Sequence, residues 1–321
     1  MNAKIGRLER ALDALAPRGR DCDLCPRDCR GDRTLGSSGF CGMGDRAVVA
    51  QALLHYGEEP VLSGTEGPPG RGSGTIFFSG CNLRCLFCQN HQISWGHQGK
   101  ALTDEELAGT MLRLQDEGAF NINLVSPTHL ILPILRALRL ATERGLAIPL
   151  VYNSNGYEKS DVIERLAGVV DVYLPDLKYR SPALALRYSG AGDYFDRASA
   201  AISEMYVQQP DLIVDDAGLA RRGTIIRHLM LPGGAEDSKA VLDWIAGSLT
   251  PSLCLSLMSQ YHPCHKAPQE IRRPLAAEEY RDVLDRAREL GFENLFLQPE
   301  IFGPDDHLVP DFRRPQPFRW K

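Results

Sequence analysis

Cys81, Cys85 and Cys88 lie in the stretch Phe77-Phe78-Ser79-Gly80-Cys81-Asn82-Leu83-Arg84-Cys85-Leu86-Phe87-Cys88-Gln89-Asn90, with spacing C-x3-C-x2-C. Three thiolates on one compact loop suit three irons of a cubane cluster. The loop has no fourth cysteine, so the fourth iron is left open to a small ligand, as a reactive cluster requires. Zinc fits less well, because a structural zinc site closes with four ligands. A second set, Cys22, Cys25, Cys29 and Cys41, has spacing C-x2-C-x3-C-x11-C. Four thiols this close suit either a tetrathiolate zinc or an auxiliary iron–sulfur cluster, and both stay open. Its role is structural, or it relays electrons to the first site. Without a metal this segment is expected to be disordered, since it shows little apolar periodicity.

The chain has nine cysteines, an odd number, and the charged start Met1-Asn2-Ala3-Lys4-Ile5-Gly6-Arg7 does not read as an export signal. That argues against a disulfide framework and for a reducing, cytoplasmic setting. Cys254 reads as a core residue, and Cys264 as a loop thiol.

These groups need a scaffold. From residue 75, short apolar runs alternate with amphipathic helices. Strands are expected at 75–79, 121–125, 148–152, 171–174, 224–230, 253–258 and 294–297, and helices at 129–144, 158–167, 193–208, 235–247 and 276–290. Thr103, with Glu106 three residues on, forms a capping box for another helix. Alternation of this kind predicts an α/β fold with parallel strands, a partial (β/α)6-type TIM-like barrel; a doubly wound open sheet is the alternative. The expected divisions are an N-terminal helix (1–20), a Cys-rich metal-binding module with a Gly/Pro-rich connector (21–74), the barrel (75–300) and a C-terminal tail (301–321) that wraps a surface or frays.

In a parallel barrel, ligands sit beyond the C-terminal strand ends. The polar groups expected there are Ser126 and Thr128, then Asn153 and Asn155, then Asp176 and Lys178. Asn and Ser at a strand end bond ribose hydroxyls, or simply form the turn. Asp176 and Lys178 share a face, as an internal ion pair or as ligand contacts. His129 is either a ligand or a polar helix start.

Formal charge is −5, with 36 Lys+Arg against 41 Asp+Glu, so a general nucleic-acid binder is disfavoured. The basic tail Arg313-Arg314-Pro315-Gln316-Pro317-Phe318-Arg319-Trp320-Lys321 is the one feature in its favour. No run reaches the ~18 apolar residues of a membrane span.

The cysteine loop resembles the signature of the radical S-adenosylmethionine (SAM) enzymes, in which an aromatic residue, here Phe87, precedes the third cysteine. The stretches 74–90, His55-Tyr56-Gly57-Glu58-Glu59-Pro60 and Tyr173-Leu174-Pro175-Asp176-Leu177-Lys178-Tyr179 resemble the uncharacterised branch related to pyruvate formate-lyase-activating enzyme. The resemblance implies that Cys81, Cys85 and Cys88 bind a 4Fe–4S cluster whose open iron chelates SAM. One electron, from a donor such as flavodoxin or ferredoxin, then yields a 5′-deoxyadenosyl radical that takes hydrogen from a substrate. It further implies that Phe87, Asn90, Asn153, Asn155, Asp176 and Lys178 lie at the cofactor, that Arg227 meets its carboxylate and that His262 lies near its adenine. The segment after the second core strand departs from the family's Gly-Gly-Glu pattern, and Ser126 and Thr128 stand there instead. The substrate is a glycyl residue of a partner enzyme, or a small molecule or peptide. A non-enzymatic iron–sulfur or zinc scaffold or electron carrier is a third reading.

Overall fold

The computed structural model describes residues 2–36, 39–298 and 309–318. Ten strands form one sheet: β1 (Ala47–His55), β2 (Ser73–Phe78), β3 (Lys100–Leu102), β4 (Ile122–Val125), β5 (Leu150–Ser154), β6 (Val172–Pro175), β7 (Ile213–Val214), β8 (Ala220–Leu229), β9 (Cys254–Met258) and β10 (Leu295–Leu297). Their order is β10-β9-β8-β6-β5-β4-β2-β1-β3, with β7 paired to β8. From β2 to β10 the main ladder is parallel, and β1 and β3 add antiparallel strands at one edge. This is the expected partial barrel, with its six core strands β2, β4, β5, β6, β8 and β9. Near-continuous apolar stretches such as Ser73–Phe78 are buried throughout, as a sheet covered on both faces requires.

The expected helices form between the strands. Asp104–Asp116 starts at the Thr103 capping box: Glu106 N–H donates to Thr103 Oγ1 at 3.2 Å and Thr103 N–H to Glu106 Oε2 at 2.9 Å. The helix Asn2–Leu15 is tied to the barrel, burying Leu8, Ala11 and Leu15, and Lys4 pairs with Asp171 at 2.8 Å. Several elements were not foreseen, among them β1, β3, β7 and helix Pro182–Ser189. Strand β1 has half-buried residues on both faces, so it shows no clean alternation. Helix Pro182–Ser189 is short, capped by Ser181 and stopped by the left-handed Gly190.

The connector is more than a loop. Leu62 packs with Val151, Val172, Leu174, Ala220 and Ile225 in one buried cluster. Val151, Leu174 and Ile225 lie two residues before Asn153, Asp176 and Arg227 on their strands, so they share the face that bears those polar groups. The carbonyl of Leu62 accepts from Asn121 Nδ2 at 2.8 Å. Residues 58–62 therefore close the barrel interior beneath the strand ends.

Of the expected tail, 301–308 and 319–321 lie outside the described residues, as do 299 and 300. Residues 309–318 wrap the surface: Phe312 and Phe318 bury against Phe77 and Ile93, and Phe318 stacks edge-on to His55 with ring centroids 4.6 Å apart. No helix among the described residues is long and apolar enough to cross a membrane.

Candidate active site

The loop after β2 carries the three cysteines into a cavity of about 240 Å3. Gly80 makes the turn with φ +78°, and a Cβ there would lie 2.9 Å from the Cys41 carbonyl oxygen and 2.8 Å from Met43 Cγ. The loop is then pinned by its backbone. Arg84 N–H donates to the Ser189 carbonyl at 3.1 Å, Leu86 N–H to Tyr188 at 2.8 Å, and Leu86 accepts from Lys266 N–H at 2.8 Å. Arg84 also donates through its side chain to the carbonyls of Cys81 (3.0 Å) and Phe40 (2.5 Å).

Each thiol has polar neighbours. Cys81 Sγ accepts from Leu83 N–H at 3.4 Å and Asn155 Nδ2 at 3.3 Å. Cys85 Sγ lies 3.0 Å from Ser189 Oγ, and Cys88 Sγ lies 3.2 Å from Ser94 Oγ. Burial pushes the Cys81 thiol up to about 11 and Cys88 up to about 12, with neighbouring cysteines adding to both. Cys85 is raised by burial against the pull of Lys178.

The opposite wall is built by strand ends. Asn153, Asn155, Asp176 and Lys178 line the cavity, with Ser126 at φ +57° after β4. Asp176 and Lys178 form the internal ion pair and face the cavity as well. Burial opposes the Lys178 charge, but Asp176 outweighs it and holds the ammonium above the ordinary lysine range. Tyr194 locks this corner, donating to the Asp176 carbonyl at 2.8 Å and accepting from Lys178 N–H at 3.0 Å. Phe87, Asn90 and His262 also line the cavity, and Phe87 packs edge-on to Tyr261 at 5.7 Å.

Two expected contacts take a different form. Arg227 lines the cavity, yet its guanidinium is claimed by two carboxylates: Nε donates to Glu59 Oε1 at 2.8 Å, and Nη2 to Glu59 Oε2 at 2.5 Å and to Glu58. Burial opposes both ionised Arg227 and ionised Glu59, and their mutual attraction overrides it in each case. The cofactor-carboxylate role is therefore in competition with a built-in ion pair. Thr128 is not among the residues lining the cavity; it is buried and donates to Glu158. Its hydroxyl is thus engaged by Glu158 rather than presented to the cavity. His129 is a core histidine, with Nε2 2.8 Å from the Ser79 carbonyl, Nδ1 without a hydrogen-bond partner among the described residues, and burial holding it down to about 3.

Glu58, Glu59 and Phe318 were missed as site residues. Adjacent acids in a Gly-rich segment carried the only signal, and nothing local names their partner. Cys264 packs at the rim, its thiol 3.2 Å from the Phe87 carbonyl. Upstream, Cys22, Cys25 and Cys41 are buried and Cys29 is half-buried. Among the described residues no three Cys, His, Asp or Glu side chains are already arranged to hold a metal ion, which is as true of Cys81, Cys85 and Cys88 as of the upstream four.

Residues 75–243, more than half of the chain, match the Radical SAM superfamily. The uncharacterized protein MJ0674 of Methanocaldococcus jannaschii is 30% identical over 289 residues, covering 86% of this chain and 77% of that protein. Pyruvate formate-lyase-activating enzyme of Clostridium pasteurianum is 29% identical over 109 residues, 32% of this chain and 44% of that enzyme. The solved structure of native anSMEcpe with bound AdoMet and Cp18Cys peptide is 15% identical with a TM-score of 0.47, covering 66% of this chain. This chain spans 56% of that one, little more than half its length. The chain belongs to the radical SAM superfamily, whose cofactors are a 4Fe–4S cluster and S-adenosylmethionine.

Proposed function

We propose that Cys81, Cys85 and Cys88 hold the cluster, that SAM fills the cavity beside it, and that the enzyme activates a partner protein by taking hydrogen from a glycyl residue. The observation that carries this reading is that three thiols and the polar ends of β5 and β6 line one cavity. The donor set fits: three sulfurs supply three ligands, and the cavity beyond them offers room for a fourth from SAM. Bound there, these cofactors would supply reductive cleavage to a 5′-deoxyadenosyl radical and hydrogen-atom abstraction.

The chain's own residues bind, orient and shield. Asn153 and Asn155 offer amide groups to ribose hydroxyls, and Asn155 also steadies Cys81 through its 3.3 Å bond. Lys178, held cationic by Asp176, presents a positive charge to the SAM carboxylate. His262 and Phe87 flank the adenine. Arg227 acts by holding Glu58 in the cavity wall and Glu59 beside it, with Nη1 making no bond to either. Flavodoxin or ferredoxin would supply the electron.

The stretch of likeness to an enzyme that activates pyruvate formate-lyase supports the glycyl substrate. A small-molecule substrate is the second reading, favoured by Phe318, whose ring lines the cavity and packs on His55 and Phe77. The test is to incubate reduced, reconstituted enzyme with SAM and a glycyl-radical enzyme of the pyruvate formate-lyase type, then record electron paramagnetic resonance. A glycyl radical signal on the partner is expected. 5′-Deoxyadenosine without that signal would overturn the glycyl substrate and leave the small-molecule reading.

A further inference from the structure

The upstream cysteines carry an inference that goes beyond the reaction and stands whether or not the glycyl reading holds. Arg33 Nη1 reaches both Cys22 and Cys41, Cys29 meets the backbone of Phe40 beside Cys41, and Cys25 is within electrostatic reach of all three, so the four cysteines share one neighbourhood without closing on a site. Each sulfur is met by an N–H donor. Arg33 Nη1 lies 3.7 Å from Cys22 Sγ and 3.9 Å from Cys41 Sγ. Phe40 N–H donates to Cys29 Sγ at 3.2 Å, and the Arg27 backbone N–H to Cys25. Gly39 lets the chain pass, since a Cβ there would lie 2.8 Å from Cys29 Sγ.

Arg33 is the telling residue. It is 3% exposed, and among the described residues it has no carboxylate partner. Its other bond is to the Gly44 carbonyl at 2.9 Å. A guanidinium is always charged, and a buried charge is strongly disfavoured unless something compensates it. Four thiols do not compensate it. Four thiolates on a metal do, since zinc or an oxidised 4Fe–4S core bound by four thiolates carries net negative charge.

The module also rests on the catalytic loop. Arg27 Nε donates to the Asn82 carbonyl at 2.7 Å. The rings and guanidinium groups interleave, with Arg27 3.9 Å and Arg84 4.5 Å from the Phe40 ring centroid. Cys41 abuts Gly80, the residue before Cys81.

We propose that Cys22, Cys25, Cys29 and Cys41 hold a metal centre as four thiolates, that Arg33 is its buried counter-charge, and that the centre braces the loop carrying Cys81, Cys85 and Cys88. The full-length triple variant Cys81→Ala, Cys85→Ala, Cys88→Ala isolates this centre from the catalytic cluster. Zinc, iron and sulfide are measured on anaerobically purified, reconstituted protein. About one zinc, or about four irons with matching sulfide, is expected, and either outcome supports the centre while naming its metal. Loss of that metal on adding Cys25→Ala is expected too. A triple variant that binds no metal, with its helical circular dichroism intact, would overturn the proposal, as would metal that persists with Cys25→Ala.

Arg33 is tested in the same background by chelator competition. Arg33→Met is expected to weaken metal retention about 10- to 100-fold, and Arg33→Lys to restore part of it. Unchanged retention in Arg33→Met would remove the counter-charge. The bracing is read in the otherwise native chain: Cys25→Ala should lower iron at the catalytic loop, and full iron there would remove the bracing.

Discussion

Arg227 of β8 forms an ion pair with Glu59 of the connector, Nε to Oε1 at 2.8 Å, across 168 residues of sequence. Both side chains are largely out of water, with 13% and 5% exposure. The pair ties the plug beneath the cavity to a strand end that faces it. Removing one partner of a buried pair leaves the other charge uncompensated, which costs about 3–5 kcal/mol. Arg227→Ala should therefore lower stability in urea unfolding by that order, and adding Glu59→Gln should restore part of it. An Arg227→Ala protein of normal stability but weak SAM binding would mean that the guanidinium serves the cofactor directly.

Glu158 predicts a pH effect. Burial raises its carboxyl from 4.5 to about 8, against the hydrogen bonds from Thr128, Ser154 and Tyr152. A carboxyl raised on folding favours the folded state fully below pH 4.5, and that contribution is lost as pH rises through about 8. Thermal stability should fall across this window, and Glu158→Gln should flatten the fall. A wild-type profile with the same slope as the variant's would contradict it.

Thr128 belongs to the same buried group. Thr128→Val removes a donor to Glu158 and should cost about 1–3 kcal/mol of stability. SAM affinity, read by equilibrium binding to the reconstituted protein, should be unchanged because Thr128 does not line the cavity. A large loss of affinity with normal stability would return Thr128 to the cofactor.

Gly80→Ala should disrupt the cysteine loop. The left-handed φ of +78° costs a residue with a Cβ about 1–2 kcal/mol, and that Cβ also meets the Cys41 carbonyl at 2.9 Å. Iron per chain after reconstitution should drop sharply while the barrel's circular dichroism persists. Full iron content would show that the loop yields at this point.

What the sequence made legible was local. C-x3-C-x2-C is a spacing, the Thr103–Glu106 box spans one turn, and Asn153 and Asp176 follow apolar runs that read as strands. What it hid was long-range. Nothing near Glu58 and Glu59 announces a guanidinium on β8, and nothing near Phe318 announces His55 and Phe77. The partner of Thr128 was hidden for a related reason: after Ser126 the backbone enters a 3-10 turn over Thr128–Leu130, which carries its hydroxyl to Glu158, 30 residues on. β1 escaped because its half-buried faces lack the alternation that marks a strand.

The central claim is that Cys81, Cys85 and Cys88 make this chain a SAM-cleaving enzyme. The most direct measurement is 5′-deoxyadenosine formed by dithionite-reduced, reconstituted protein with SAM, in wild type and in Cys81→Ala. The account predicts product from the wild type and none from the variant. Equal product from both would contradict it.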